Sequence, residues 1–204
     1  MKGKIQTATL LKAVVDKSTG IRTDSTMSHV SILEVPTYHK LIAVTDAGMM
    51  IYPTLDQKKW IVQNAVNTFI SLGYEKPKVA ILAAVENVNE KMPETVDADN
   101  LKKMSQAGDL GNCIVDGPLS YDLAMSPESV KIKGFKSPVA CDADILVAPN
   151  ISAGNILCKS MIYTGGAKMA GCIAGAKVPI ALTSRGATSE EKYLSLVLSS
   201  AAVK

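Results

Sequence analysis

Apolar positions along the chain alternate between short runs and longer amphipathic stretches. Residues 6–16 read as a helix with Leu10, Leu11, Val14 and Val15 on one side, ended by Ser18-Thr19-Gly20. Residues 30–35 and 41–45 are β-rich, and Pro36-Thr37-Tyr38-His39-Lys40 between them suits a hairpin with a slightly long turn. Residues 56–72 give the clearest amphipathic helix: Asp56 is placed to cap it, Val62, Val66, Phe69 and Ile70 share a face, and Gly73 closes it. An apolar run over residues 78–85 fits a strand covered on both faces, and residues 98–107 read as the next helix, closed by Gly108.

The alternation continues to the end of the chain. Residues 113–115 and 144–148 read as buried strands that run out into the loops Asp116-Gly117-Pro118 and Pro149-Asn150. Residues 156–163, 169–174 and 178–183 extend the pattern, which predicts an α/β fold with a largely parallel sheet and helices on both faces. Ligands of such sheets bind beyond the carboxyl ends of the strands. The candidate loops are then Thr45-Asp46, Glu86-Asn87, Asp116-Gly117-Pro118, residues 150–155 and residues 184–191.

Composition narrows the function classes. With 204 residues, 47% hydrophobic and 20% charged, the chain can bury a substantial core as one large domain or two small ones. The net charge of +3 comes from scattered lysines, and only 4% of residues are aromatic, so nucleic acid is disfavoured as a partner. No apolar run reaches the ~18 residues of a membrane span and the amino terminus has no signal-like apolar core, so the expected location is the cytoplasm. Cys113, Cys141, Cys158 and Cys172 show no paired spacing, and the two histidines, His29 and His39, have no local tie to them. Reduced, buried thiols are expected, with no metal site and no disulfide scaffold.

Candidate chemistry concentrates in residues 182–191, Leu-Thr-Ser-Arg-Gly-Ala-Thr-Ser-Glu-Glu, where a short apolar strand hands over to a helix. A guanidinium at a strand's carboxyl end beside a helix amino terminus makes an anion site, because the cation and free backbone N–H groups converge there. Thr188 and Glu191, three residues apart, also spell a capping box, a structural use for that carboxylate. Ala153-Gly154-Asn155 offers a second candidate: a glycine that lets a phosphate approach backbone amides, beside an amide donor, or a plain helix start. Thr164-Gly165-Gly166-Ala167-Lys168 and Ala174-Gly175-Ala176-Lys177 match neither a phosphate-loop nor a dinucleotide fingerprint and read as turns.

Taken in order, Ile114-Val115-Asp116-Gly117-Pro118-Leu119, Asp122, residues 148–155 (Ala-Pro-Asn-Ile-Ser-Ala-Gly-Asn) and Thr183-Ser184-Arg185 resemble the phosphate acetyl/butyryltransferase family. Met1-Lys2-Gly3, Gln6-Thr7, Gly20-Ile21-Arg22-Thr23, Ser28-His29-Val30, residues 86–97, Lys192 and Ser195 resemble its butyryl-type branch. The resemblance implies reversible transfer of a short acyl group between coenzyme A and inorganic phosphate, giving an acyl phosphate. It implies no metal, cofactor or covalent enzyme intermediate, coenzyme A and phosphate being substrates. It also implies a fold like that of the isocitrate and isopropylmalate dehydrogenases, two α/β domains with the cleft between them, usually as homo-oligomers.

Carried over by position, Ser184 and Arg185 match the pair that holds the phosphate and the reacting carbonyl. Acetyl-type members carry their proposed base at the position of Glu191 and butyryl-type members at Glu190, which is the preferred carboxylate here, with Glu191 the alternative. Lys12 stands where the family usually has a phosphate-binding arginine, keeping the charge without the bidentate fork. Gly154 and Asn155 are the other expected substrate-binding residues, and Met50 replaces a common asparagine near the cleft. Relative to the family, the chain is expected to lack most of the first domain. Residues 22–177 would form the second domain, and residues 1–21 and 178–204 a remnant of the first, with an apolar strand edge at residues 178–182 that needs a partner, such as a separate chain supplying the missing part.

Other readings make distinct predictions. A non-catalytic α/β module that oligomerises or binds acyl-CoA or anions would gain thermal stability from ligand without forming product. A decarboxylating dehydrogenase would need an aspartate cluster for a divalent metal, and no such cluster is evident. The choice among acetyl, propionyl, butyryl and branched acyl groups stays open at this level.

Overall fold

The computed structural model describes residues 5–184 and 186–203. In chain order the elements are α1 (Thr7–Val14), β1 (Ser28–Glu34), β2 (Ile42–Thr45), α2 (Leu55–Ser71), β3 (Lys78–Leu82), α3 (Pro93–Gln106) and β4 (Ile114–Leu119). They continue with α4 (Tyr121–Met125), α5 (Pro127–Lys133), β5 (Ile145–Val147), α6 (Ile151–Tyr163), β6 (Lys168–Ala174), β7 (Ile180–Ala181) and α7 (Ser189–Ala201).

All seven strands form one sheet in the order β4-β3-β5-β2-β1-β6-β7. β4, β3, β5 and β2 pair in parallel, whereas β1 is antiparallel to both β2 and β6, and β7 is antiparallel to β6. Strands β2 to β6 therefore run one way, and β1 and β7 run the other. The largely parallel α/β architecture expected from the pattern is present. The hairpin is present too, with Leu33 opposite Ile42.

Alternation along each strand splits its side chains between two helical layers. Val30, Ile32, Ala43, Val79, Ile81, Ile145, Val147 and Cys172 pack with residues of α2, α3 and α7. Leu33, Ile42, Val44, Ala80, Leu82 and Leu146 pack on the other face with Cys158 and Met161 of α6. Val14 of α1 joins Met27, Ile173, Ile180 and Leu182 on that second face. Phe69 of α2 is fully buried and meets Tyr74 edge-on, with ring centroids 4.8 Å apart. Phe69→Ala is expected to lower unfolding stability by about 3–5 kcal/mol, the usual loss for a buried phenylalanine, measurable by urea denaturation.

Several boundaries differ from the expected ones for identifiable reasons. Thr54 caps α2, sharing a reciprocal capping box with Gln57, so Asp56 lies in the first turn instead. Ile70 turns away from the buried face that Val62, Val66 and Phe69 share. β3 stops at Leu82, and α3 begins at Pro93, where proline's missing N–H costs nothing. Asp116-Gly117-Pro118 is no loop: it lies inside β4, buried. Proline is tolerated there because β4 is an end strand. Glycine is required because a Cβ on Gly117 would sit 2.8 Å from the Ile81 Cβ.

The segments flanking residues 22–177 rest on the same sheet. β7 pairs with β6 through Cys172–Ala181 and Ile173–Ile180, and α7 packs along β6. At the amino ends of the parallel strands, Lys40 is paired with Asp142 and Asp144, and Lys78 with Asp142, tying down the end of the sheet away from the cavity described below. Among the described residues no helix is long and apolar enough to cross a membrane.

Candidate active site

On the face covered by α1 and α6 lies a cavity of about 330 Å³, within the ~300–1,000 Å³ range of small-molecule sites. Its walls come from distant parts of the chain. β1 supplies His29 and Ser31, the turn after β2 supplies Ala47 and Gly48, and α6 supplies Asn155, Cys158, Lys159 and Ile162. The segment after β7 adds Leu182, Thr183 and Ser184, and the first turn of α7 adds Glu191.

Each wall has a local cause. Asp46, buried at the end of β2, folds the following turn by accepting hydrogen bonds at Oδ1 from the Gly48 and Met49 N–H groups at 2.7 and 2.9 Å. Its Oδ2 accepts from the His29 N–H at 3.2 Å. α6 starts at Ile151, capped by the Asn150 side chain, which accepts from the Ala153 N–H at 3.0 Å. Gly154 and Asn155 are therefore inside the helix and not ahead of it. A Cβ on Gly154 would sit 2.6 Å from the Asp46 carbonyl oxygen, so the glycine lets α6 press onto the β2 turn, with its missing side chain facing protein. Asn155 lines the cavity and donates from Nδ2 to the Ala47 carbonyl at 3.1 Å. One helical turn on, Lys159 lines it as well.

The two candidate carboxylates part company. Glu191 lines the cavity. It also completes the capping box, with Oε2 accepting from the Thr188 N–H at 2.6 Å while its own N–H donates to Thr188 Oγ1 at 3.1 Å. A carboxylate has about four lone-pair sites, so one capping bond leaves acceptor capacity for a second partner. Glu190 does not line the cavity; its Oε1 pairs with Lys168 Nζ at 2.7 Å, and both side chains are more than half exposed.

Of the other expected residues, Ser184 is exposed at the cavity wall, and its Oγ accepts from the Gly186 N–H at 3.4 Å. Arg185 lies outside the described residues. Lys12 is on the exposed side of α1 and does not line the cavity. Met50 packs against the core on the α2 side of the sheet, away from the cavity. Glu86 is also elsewhere, where Lys133 and Ser120 hold its carboxyl below the usual range near the end of β4. Of the five candidate loops, those after β2 and β7 and the 150–155 segment converge here; the Glu86 loop and residues 116–118 do not.

His29, which sequence reasoning does not single out as a site residue, is a buried polar group of the cavity wall. Its Nδ1 lies 3.2 Å from Ser31 Oγ, and it hydrogen-bonds to the Leu182 carbonyl. Burial pushes the imidazole below its ordinary pKa, against the opposing pull of the Asp46 charge and the Leu182 bond. The thiols are mostly enclosed as expected: Cys113, Cys158 and Cys172 are buried and Cys141 half-buried, and burial pushes Cys172 up to about 12. The three buried thiols, all raised by burial, stay protonated and unreactive.

Residues 1–200 match the family model described as phosphate acetyl/butaryl transferase. The chain belongs to this family. It is 46% identical over 199 residues to a phosphate acetyltransferase of Thermotoga maritima, covering 98% of this chain and 68% of that protein. It is 47% identical over 198 residues to a probable phosphate butyryltransferase of Bacillus subtilis, covering 97% of this chain and 66% of that one. The crystal structure of a branched-chain phosphotransacylase from Enterococcus faecalis V583 superposes with a TM-score of 0.89 at 42% identity, over 98% of this chain and 71% of the other. This phosphate acetyl/butyryltransferase family member thus spans about two-thirds of the length of these two relatives.

Proposed function

We propose that the cavity carries reversible transfer of a short acyl group, of butyryl or similar size, between coenzyme A and inorganic phosphate. The observation that carries the reading is the convergence of Ser184, Glu191, Asn155 and Lys159 on one cavity in a chain that matches the acyltransferase family along nearly its whole length.

In the forward direction a phosphate oxygen attacks the thioester carbonyl, a new C–O bond forms, and the C–S bond breaks. The proton lost by hydrogen phosphate ends on the coenzyme A sulfur, so the balance is acyl-CoA plus hydrogen phosphate giving acyl phosphate plus the free thiol. Charge builds on the carbonyl oxygen beside an anionic nucleophile, which is where a hydroxyl at Ser184 and cations at Arg185 and Lys159 lower the barrier most. The proposed proton carrier is Glu191, which lines the cavity, delivering the proton to the sulfur in this direction and taking it from the thiol in the reverse. The structural support thus moves from Glu190, tied to Lys168 outside the cavity, to Glu191.

Ala47, Cys158, Ile162 and Leu182 give the cavity an apolar side suited to a short acyl chain. No resident cofactor is needed for this balance. Homo-oligomer formation, or pairing with a separate chain, fits the exposed apolar side chains of Tyr193, Leu196 and Val197 on α7. Phosphate-dependent release of free thiol from butyryl-CoA, with the acyl phosphate trapped as its hydroxamate, tests the reading. A rise in melting temperature with butyryl-CoA and phosphate but no product would instead favour the non-catalytic module.

A further inference from the structure

His29 and Ser195 lie outside the chemistry proposed above, yet both are buried and both are tied to one residue, Gly171 of β6. The Leu182 N–H donates to the Gly171 carbonyl at 3.3 Å, which sets the strand end that leads to Ser184. The Leu182 carbonyl in turn accepts from the His29 ring. A Cβ placed on Gly171 would meet His29 Nε2 and the Leu182 oxygen at 3.0 Å each, so these two atoms converge over the same glycine, which identifies Nε2 as the ring nitrogen facing Leu182. The other face of the ring is bounded by Gly48, whose Cβ would come within 3.1 Å of His29 Cγ. An imidazole in this slot keeps its Nε2–H on Leu182 while Nδ1 accepts from the Ser31 hydroxyl at 3.2 Å.

Ser195 performs the matching task for α7. The Gly171 N–H donates to Ser195 Oγ at 2.9 Å, and Ser195 Oγ donates to the Glu191 carbonyl at 2.7 Å. The Ser195 side chain is fully buried. The backbone that presents Ser184 and the helix turn that presents Glu191 are thereby both referenced to Gly171, one through His29 and one through Ser195.

We propose that His29 and Ser195 are positioning residues that fix the Ser184 segment and the Glu191 turn against β6, holding the two groups in register across the cavity. As a contribution to catalysis this rests on the acyltransferase reading; as a statement about the segment's order it does not.

The test compares His29→Asn, whose amide donor falls at the Nδ1 position and cannot reach Leu182, with His29→Gln, whose donor falls at the Nε2 position and can. In His29→Asn, amide hydrogen exchange in peptides covering residues 180–188 is expected to accelerate by about tenfold or more, with peptides from α2 unchanged. Its kcat for acyl transfer should fall by about 10–100-fold while KM for the acyl-CoA stays within about twofold, the pattern of misplaced rather than missing groups. His29→Gln should restore both readouts to within about threefold of wild type. Exchange in His29→Asn equal to wild type, or His29→Gln as perturbed as His29→Asn, would overturn the proposal. If the wild-type chain shows no acyl transfer, the functional reading fails by itself, and the exchange comparison still decides whether His29 holds the segment.

Discussion

Glu191→Gln is expected to lower acyl transfer by about 10²–10⁴-fold, the range for loss of a positioned proton-transfer group, while Glu190→Gln leaves kcat within about threefold. The contrast comes from where α7 begins. Thr188 caps the helix, so its first turn directs Glu191 toward the cavity and leaves Glu190 beside Lys168 on the surface. Glutamine at position 191 keeps a side-chain oxygen for the capping bond to the Thr188 N–H, so helix stability should barely change and the lost rate can be assigned to proton transfer. Steady-state rates at saturating phosphate, with melting temperatures measured in parallel, check both halves. An inactive Glu190→Gln beside an active Glu191→Gln would return the role to the butyryl-type position.

Gly154→Ala is the second large effect, because two principles predict opposite signs for it. Helix propensity alone predicts a gain of about 1 kcal/mol from replacing a mid-helix glycine. Packing predicts a loss, since the new Cβ would sit 2.6 Å from the Asp46 carbonyl and 3.2 Å from the Ala47 Cα, both backbone atoms that cannot swing aside. Pushing α6 off the β2 turn should dominate, for a net loss of about 2–3 kcal/mol, or about 4–12 °C in melting temperature for a chain of this size. The same shift moves Asn155 and Lys159 away from Ser184, so kcat should fall as well. A stabilised, fully active Gly154→Ala would show that the contact has room to relax.

Much of the fold is legible in the sequence where the signal is local. The 30–45 hairpin follows from two β-rich runs around a proline-led turn, and the Thr188–Glu191 capping box from a three-residue spacing. Residues 113–119 mislead because Gly117-Pro118 has the composition of a turn, whereas the end position of β4 tolerates the proline and the neighbouring Ile81 demands the glycine. α6 starts earlier than expected for a related reason: Gly154 and Asn155 look like punctuation, but one answers to close packing and the other to the Ala47 carbonyl.

The site divides along the same line. Ser184, Glu191 and Asn155 belong to motifs that stand out in the chain, and the structure gathers them at one cavity. His29 and Ser195 stand among the residues of the butyryl-type resemblance, but nothing local in the chain gives either a role. Their partners Leu182 and Gly171 lie far along the chain or on another element, and only the pairing of β1 with β6, and of β6 with β7, brings them together. Lys159 carried a faint signal, sitting four residues after Asn155 on the same face of α6.

The most direct measurement is phosphate-dependent release of thiol from butyryl-CoA by the 204-residue chain beside its Arg185→Ala variant. Turnover at least about 10²-fold above the variant, as expected for losing one preorganised charge-stabilising group, is the predicted result. Equal rates for the two proteins would contradict the acyl-transfer reading of this chain.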